Sequence, residues 1–280
     1  MFLIYSYMSN TEIEEICLKY NIFDFTINSD GTIDVNGGVH LDYYILTELQ
    51  LKFNKVSGNF NCSVTGLTTL DGSPKEVGGV FYCYKNKLTS LEGGPIKVSG
   101  NFNCSGTGLT TLDGSPKEVG GVFYCYNNKL TSLEGGPIKV TGNFDCSNNK
   151  LTSLKGSPKE VGGNFYCNNN KITSLEFGPE VIKNGTYSAQ NNDLYHTYGL
   201  KTKGYHYIYL NNNPISNVFI NKYGLNEFDS RLVKYFNSAK VIEKKNNEYS
   251  VNVKRLQYLQ TMFENKIDTI KIAKYYDINY

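Results

Sequence analysis

VSGNFNCSGTGLTTLDGSPKEVGGVFYCYNNKLTSLEGGPIK, residues 98–139, contains one 21-residue phrase twice: Phe102, Cys104, Leu109 and Leu112 return as Phe123, Cys125, Leu130 and Leu133. Outward from this stretch the period persists, because Cys62, Cys83, Cys104, Cys125, Cys146 and Cys167 are equally spaced. A fixed period of this size marks a solenoid, whose units are each too small to bury an apolar face alone and are stable only when stacked. A binding scaffold is therefore a better expectation than a catalyst.

Aligned on the cysteine, the unit reads V-x-G-x-F-x-C-x-x-N-x-L-T-S-L-x-G-x-P. Phe144 and Cys146 alternate with Asn143, Asp145 and Ser147, which predicts a short strand with one face buried. Leu151 and Leu154 turn inward after it, and Gly156 with Pro158 keeps the return arm extended. The asparagine beyond the strand recurs as Asn86, Asn128, Asn149, Asn170, Asn192 and Asn213, with Thr65 and Thr107 in two units. An amide there is expected to bond backbone groups left unpaired where each coil leaves the sheet. The phase reaches back to Val39, Leu41, Leu46 and Leu49. After one extra residue between Pro179 and Gly185 it runs forward to Tyr187, Ala189, Ile208, Leu210 and Ile215. About nine parallel strands result, a sheet roughly 40 Å long at about 4.8 Å per strand.

Both ends carry candidate covers. Residues 1–34 offer a helix over roughly 10–20, with Ser9 and Glu12 as its capping box, which makes Met8 an alternative start to Met1. The hairpin FDFTINSDGTIDV follows, turning at Asp30 and Gly31. Residues 35–221 form the solenoid. Residues 222–280 are expected to be a helical cap, with helices over 225–237 and roughly 253–275, the second carrying Leu256, Leu259, Met262, Phe263, Ile267 and Ile270 on one stripe. With both sheet ends covered, a monomer is expected.

A net charge of +2 over 280 residues gives no field that argues for nucleic acid. MFLIYSYM lacks a basic leader and is too short for a signal peptide or a membrane span. Six of the seven cysteines occupy one equivalent position, so their side chains are expected to stack in parallel, not converge as a disulfide or zinc site requires. They are expected to be reduced, buried and small hydrophobes, in a cytoplasmic protein. No cofactor, metal or catalytic residue is expected. His40, His196 and His206 lack a carboxylate at ligand spacing, although the last two flank the Gly-containing loop YHTYGLKTKGYH.

The units LTSLEGGP, VGGVFYC and NNKLTSL, with the lead-in INSDGTIDVNGGVHL and LTELQLKFNKVSGNFNC, resemble the leucine-rich repeat proteins of large tailed bacteriophages and some bacteria. The resemblance covers roughly residues 22–237 and implies a right-handed, mainly β repeat solenoid. It implies little about a partner. A more distant likeness is to secreted bacterial effectors, some of which end in a cysteine-dependent ubiquitin ligase; here no cysteine follows Cys167, so that nucleophile is missing.

Outward strand positions are where a ligand is expected. They alternate: Asn59, Asn61 and Ser63; then Val80, Tyr82 and Tyr84; then Asn101, Asn103 and Ser105; then Val122, Tyr124 and Tyr126; then Asn143, Asp145 and Ser147; then Asn164, Tyr166 and Asn168. Ser188 with Gln190 and Tyr209 with Asn211 continue the series. Rigid amphipathic rings beside small hydrogen-bonding groups are the chemistry of a protein-binding surface, so Asn61, Tyr82, Tyr84, Asn103, Tyr124, Tyr126, Asp145, Tyr166, Asn168 and Tyr209 are the candidate contacts on a concave sheet. The bland alternative is that tyrosine simply favours strands. A modulator of a host protein in the bacterial cytoplasm is the first expectation; a virion or assembly component and a glycan-binding module are the others.

Residues 56–97 are repeated in 98–139 with two changes: Gly106 stands in the place of Val64, and Asn127 in that of Lys85. On the return arm Glu76, Lys97, Glu118, Lys139 and Glu160 alternate in sign, which is expected to favour one register. Lys129, Lys150 and Lys171 form a row of like charge, read as a solvated edge.

Overall fold

A computed structural model describes residues 8–194, 200, 202–213, 219–220, 242–245, 248–252, 254–255, 266–267 and 277–279. The chain is a mainly β parallel solenoid of about 8–9 turns with a short helix at its N-terminal side. Each complete turn carries two short strands where the sequence suggests one. In one turn these are Glu118–Val119 and Phe123–Tyr124, which lie in different sheets. Among the described residues each of the two sheets has nine strands. The second strand was hidden because it is only two residues long and carries one buried side chain, Val119, beside exposed Glu118. Gly120 and Gly121 make the corner between the strands. A Cβ at Gly120 would lie 2.0 Å from the Ser99 carbonyl oxygen of the preceding turn, so stacking this tightly requires glycine there.

Two units are distinguished by internal contacts, Met1–Leu130 with Glu134–Gly142, and Thr131–Leu133 with Asn143–Tyr280. In the first, the helix Asn10–Lys19 starts at Ser9, whose hydroxyl accepts from the Glu12 amide while the Glu12 carboxylate accepts from the Ser9 amide. Ile13 and Cys17 are its buried face, and Tyr20 packs edge-on against Tyr44 at 4.8 Å. The hairpin Phe25–Ile27 and Ile33–Val35 turns through Gly31 at φ 76°. Its second strand pairs in parallel with Phe53–Val56, so the hairpin closes one end of one sheet. The other sheet begins at Val39–His40, with Leu41 and Leu46 buried in phase and Leu49 only half-buried. Phe60, Phe81, Phe102 and Phe123 stack with ring centroids 5.5, 5.2 and 5.1 Å apart, a column held by in-register pairing.

In the second unit Phe144 and Phe165 continue this pattern at 5.6 Å. Val161 pairs with Ile182 but Phe165 pairs with Tyr187, so the extra residue falls in the corner between Ile182 and Tyr187, where Asn184 takes φ 58°. Tyr187 replaces phenylalanine in the column. Its hydroxyl lies 2.6 Å from where a Cβ on Gly178 would be and, among the described residues, is buried without a hydrogen-bond partner. Tyr207–Tyr209 pairs with Thr186–Ser188, and Ile208, Leu210 and Asn213 are buried in the expected phase. Ile215, His196 and the helix expected over 225–237 lie outside the described residues.

The expectation of one helix over roughly 253–275 is corrected. Lys254 and Arg255 are helical, but Lys266–Ile267 is a strand paired antiparallel with Phe219–Ile220. Ile242–Lys245, Glu248–Asn252 and Asp277–Asn279 form a further sheet of three strands. The apolar stripe was compatible with a helix, but β-branched Ile267 and Ile220 and backbone pairing to a distant segment override that weak preference.

The amide ladder is present and its members are bonded on both sides of the amide. The Asn128 Oδ1 accepts from Thr107 N, Thr107 Oγ1, Gly108 N and Leu109 N at 2.9–3.1 Å, and Nδ2 donates to the Cys104 and Cys125 carbonyls at 3.0 Å. Asn86 repeats this with Thr65, Gly66, Leu67, Cys62 and Cys83. In the second unit Asn170, Asn192 and Asn213 each donate to two such carbonyls and accept from the amide of Leu151, Ile172 or Leu194. Asn128→Ala leaves several buried backbone groups unpaired at about 1–3 kcal/mol each, so a loss of about 3–5 kcal/mol is expected in urea unfolding. Exposed Lys129→Ala, one residue away and with ordinary backbone, serves as the reference.

Beside the ladder runs a second column that sequence reading did not detect. Val64, Lys85, Gly106 and Asn127 in the first unit, and Asn148, Asn169, Asn191 and Asn212 in the second, all have φ between 53° and 63°. The two differences between the duplicated 42-residue segments therefore both fall on left-handed positions, and in both the later copy has the residue that tolerates this conformation better. A β-branched residue there is strained. Val64→Gly is expected to raise stability by about 1 kcal/mol, and Gly106→Val to lower it by a similar amount, both read as shifts in the urea midpoint.

Candidate functional site

The candidate residues stand on the sheet that carries the phenylalanine column. Parallel pairing sets Asn61 beside Tyr82, Tyr82 beside Asn103, and Asn103 beside Tyr124 in the first unit. In the second, Asp145 pairs with Tyr166, Tyr166 with Ser188, and Ser188 with Tyr209. Tyr82, Tyr84, Tyr124, Tyr126, Tyr166 and Tyr209 are half-buried. Within a turn the rings meet edge to face: Tyr82 and Tyr84 at 6.0 Å, Tyr124 and Tyr126 at 5.7 Å. Tyr207 and Tyr209 lie at 6.4 Å and nearly parallel. Each pair is a preorganised aromatic patch, since its position follows from the strand backbone and costs little entropy on binding.

The serines expected to face outward do not. Ser63, Ser105, Ser147 and Ser188 are at most 7% exposed. The reason is local: the Asn61 Oδ1 accepts from the Ser63 amide and hydroxyl, Asn103 does the same for Ser105, and Asp145 accepts from the Ser147 amide. These side-chain turns fold each serine back against the strand end. Asn168 likewise accepts from the Ser188 hydroxyl and the Gln190 amide. Asn59, Asn101, Asn143 and Asn164 are also engaged, each taking the amide of the corresponding corner residue one turn later. The asparagines of this face are thus partly structural, whereas the tyrosines are its open chemistry. No period in the sequence distinguishes these roles, because a bonded and a free amide are the same letter.

On the return strands Lys55, Glu76 and Lys97 sit in register, as do Glu118 and Lys139. Lys55 approaches Glu76 at 3.9 Å and Lys183 approaches Glu160 at 3.5 Å; all four are well exposed, so each pair contributes at most about 1 kcal/mol. All seven cysteines are free and buried. Burial pushes the Cys17 thiol up to about 11 and raises those of Cys62, Cys83, Cys104 and Cys167 further, so none of these is an activated nucleophile. Among the described residues no cluster of His, Cys, Asp and Glu forms a metal-binding group, and no helix is long and apolar enough to cross a membrane. His40 and His206 are exposed, and Lys129, Lys150 and Lys171 are exposed as expected.

Compared with protein-family models, curated proteins and solved structures, the chain matches none.

Asp145 occupies the column position held by Asn61 and Asn103. Desolvation raises its carboxyl above the usual range, and the bonds from Ser147 oppose this only in part. A carboxyl whose folded value is raised favours the fold in its protonated form, so stability is lost as pH rises through the titration range. Asp145→Asn is expected to stabilise the protein at pH 7, and the advantage should shrink as the pH falls toward about 4. Thermal melts of both proteins across this range check the sign.

Proposed function

We propose that the chain is a non-enzymatic protein-binding scaffold whose interaction surface is the tyrosine face. The observation that carries this is the pairing of half-buried rings, Tyr82 with Tyr84 and Tyr124 with Tyr126, on strands whose phenylalanines stack in the core. Such rings supply large contact area at low entropic cost, the property of residues that dominate protein interfaces. The repeat is of the leucine-rich kind carried by large tailed bacteriophages, and the partner is a host protein in the bacterial cytoplasm. The regular Phe, Cys, Leu and Asn columns support the first part of this statement. The bacterial and phage assignment rests on the sequence resemblance.

Replacing Tyr82, Tyr84, Tyr124 and Tyr126 together by serine should leave the fold intact, since the phenylalanine and leucine core is untouched. Affinity capture from bacterial lysate is expected to retain a partner with the wild-type chain and lose it with the variant. Identical captures would move the interaction surface away from this face.

A further inference from the structure

On the outward positions of the first unit large aromatic and small polar side chains alternate from strand to strand, which leaves a recess at every second strand. Tyr82 with Tyr84 and Tyr124 with Tyr126 form successive walls; Asn103 with Ser105 lies between them, and Asn61 with Ser63 occupies the equivalent place before the first wall. Walls and notches thus recur every second strand, about 9.6 Å at about 4.8 Å per strand. A polyproline II helix rises about 3.1 Å per residue with three residues per turn, a pitch of about 9.3 Å. A ligand of this conformation laid across the strands presents the same side to each notch once every three residues.

Hydrogen-bonding chemistry points the same way. The Oδ1 atoms of Asn61 and Asn103 are taken by Ser63 and Ser105, while among the described residues their Nδ2 groups have no partner. Each notch therefore offers a donor. A polyproline II backbone leaves its carbonyls unbonded, and proline has no N–H to satisfy. Charge adds the third condition. The segments 57–70, 78–91, 99–112 and 120–130, which run from corner to inner leucines, contain Lys85, Lys87 and Lys129 and no Asp or Glu. All three lysines are exposed, and Lys87 and Lys129 are separated by the same two turns as the tyrosine walls. The acidic residues of these turns, Asp71, Glu76, Glu92, Asp113 and Glu118, fall outside those segments.

We propose that this face binds an acidic, proline-rich segment of a partner protein in the polyproline II conformation, with prolines in the notches and a carboxylate every third residue beside the Lys87 and Lys129 row. The proposal rests on the protein-binding reading of the same face and names the chemistry of its partner.

The test is fluorescence anisotropy with the full chain and labelled synthetic peptides of repeated Glu-Pro-Pro, Glu-Gly-Ser or Gln-Pro-Pro triplets, with oligothymidylate as a fourth probe. Glu-Pro-Pro is expected to bind at least about tenfold more tightly than Glu-Gly-Ser, because the flexible peptide must be ordered on binding. Gln-Pro-Pro should be weaker as well, and Lys87→Glu with Lys129→Glu should erase the preference for Glu over Gln while circular dichroism stays unchanged. Equal binding of Glu-Pro-Pro and Glu-Gly-Ser, tighter binding of oligothymidylate, or no peptide binding overturns the proposal. If no peptide binds but the serine variant still loses a partner that the wild type captures, the peptide class fails and the face stands; if captures are also identical, both fail.

Discussion

Everything in this fold hangs on how the backbone is satisfied where each turn leaves its sheet. A chain that bends every few residues strands carbonyls and amides in its interior, and an unpaired buried backbone group costs about as much as a lost hydrogen bond. Asn86 and Asn128, with Thr65 and Thr107 in the alternate turns, and the asparagines of the second unit meet that demand with one side chain per turn. Each amide bridges its own turn and the one before it. The stacking of phenylalanine rings and cysteine thiols follows, because identical side chains align only if successive turns keep the register these amides impose.

Legibility in the sequence follows from the range of each interaction. The buried columns repeat at constant spacing and could be counted, as could the asparagine ladder and the hairpin at Asp30 and Gly31. The return strand Glu118–Val119 could not, since two residues with one buried valine show no alternation. Left-handed backbone at Lys85 or Val64 was equally hidden: neither residue advertises a positive φ, although the Asn and Gly found at equivalent sites do in retrospect. At the C-terminal side, Lys266–Ile267 pairs with a segment far away in sequence, and no local pattern carries that information.

For the candidate face the sequence identified which columns point outward but not how far each side chain is already committed. The tyrosines of these columns are half-buried. Ser63, Ser105, Ser147 and Ser188 are turned in by carboxyl or amide oxygens two residues earlier or one turn away, so the face is less polar at its floor than its composition suggests. Its walls are aromatic, and its floor presents amide nitrogens.

The doubled segment has a consequence for how this architecture changes size. Residues 56–97 and 98–139 begin and end at the same phase of the coil, and every buried position in one has the identical residue in the other. Removing either copy would join chain ends that already meet identical neighbours, and inserting a third would ask nothing new of the core. The length of the tyrosine-lined surface is therefore a free parameter of the gene, adjustable in whole pairs of turns by recombination alone, with the left-handed column as the place where each new copy can be tuned afterwards.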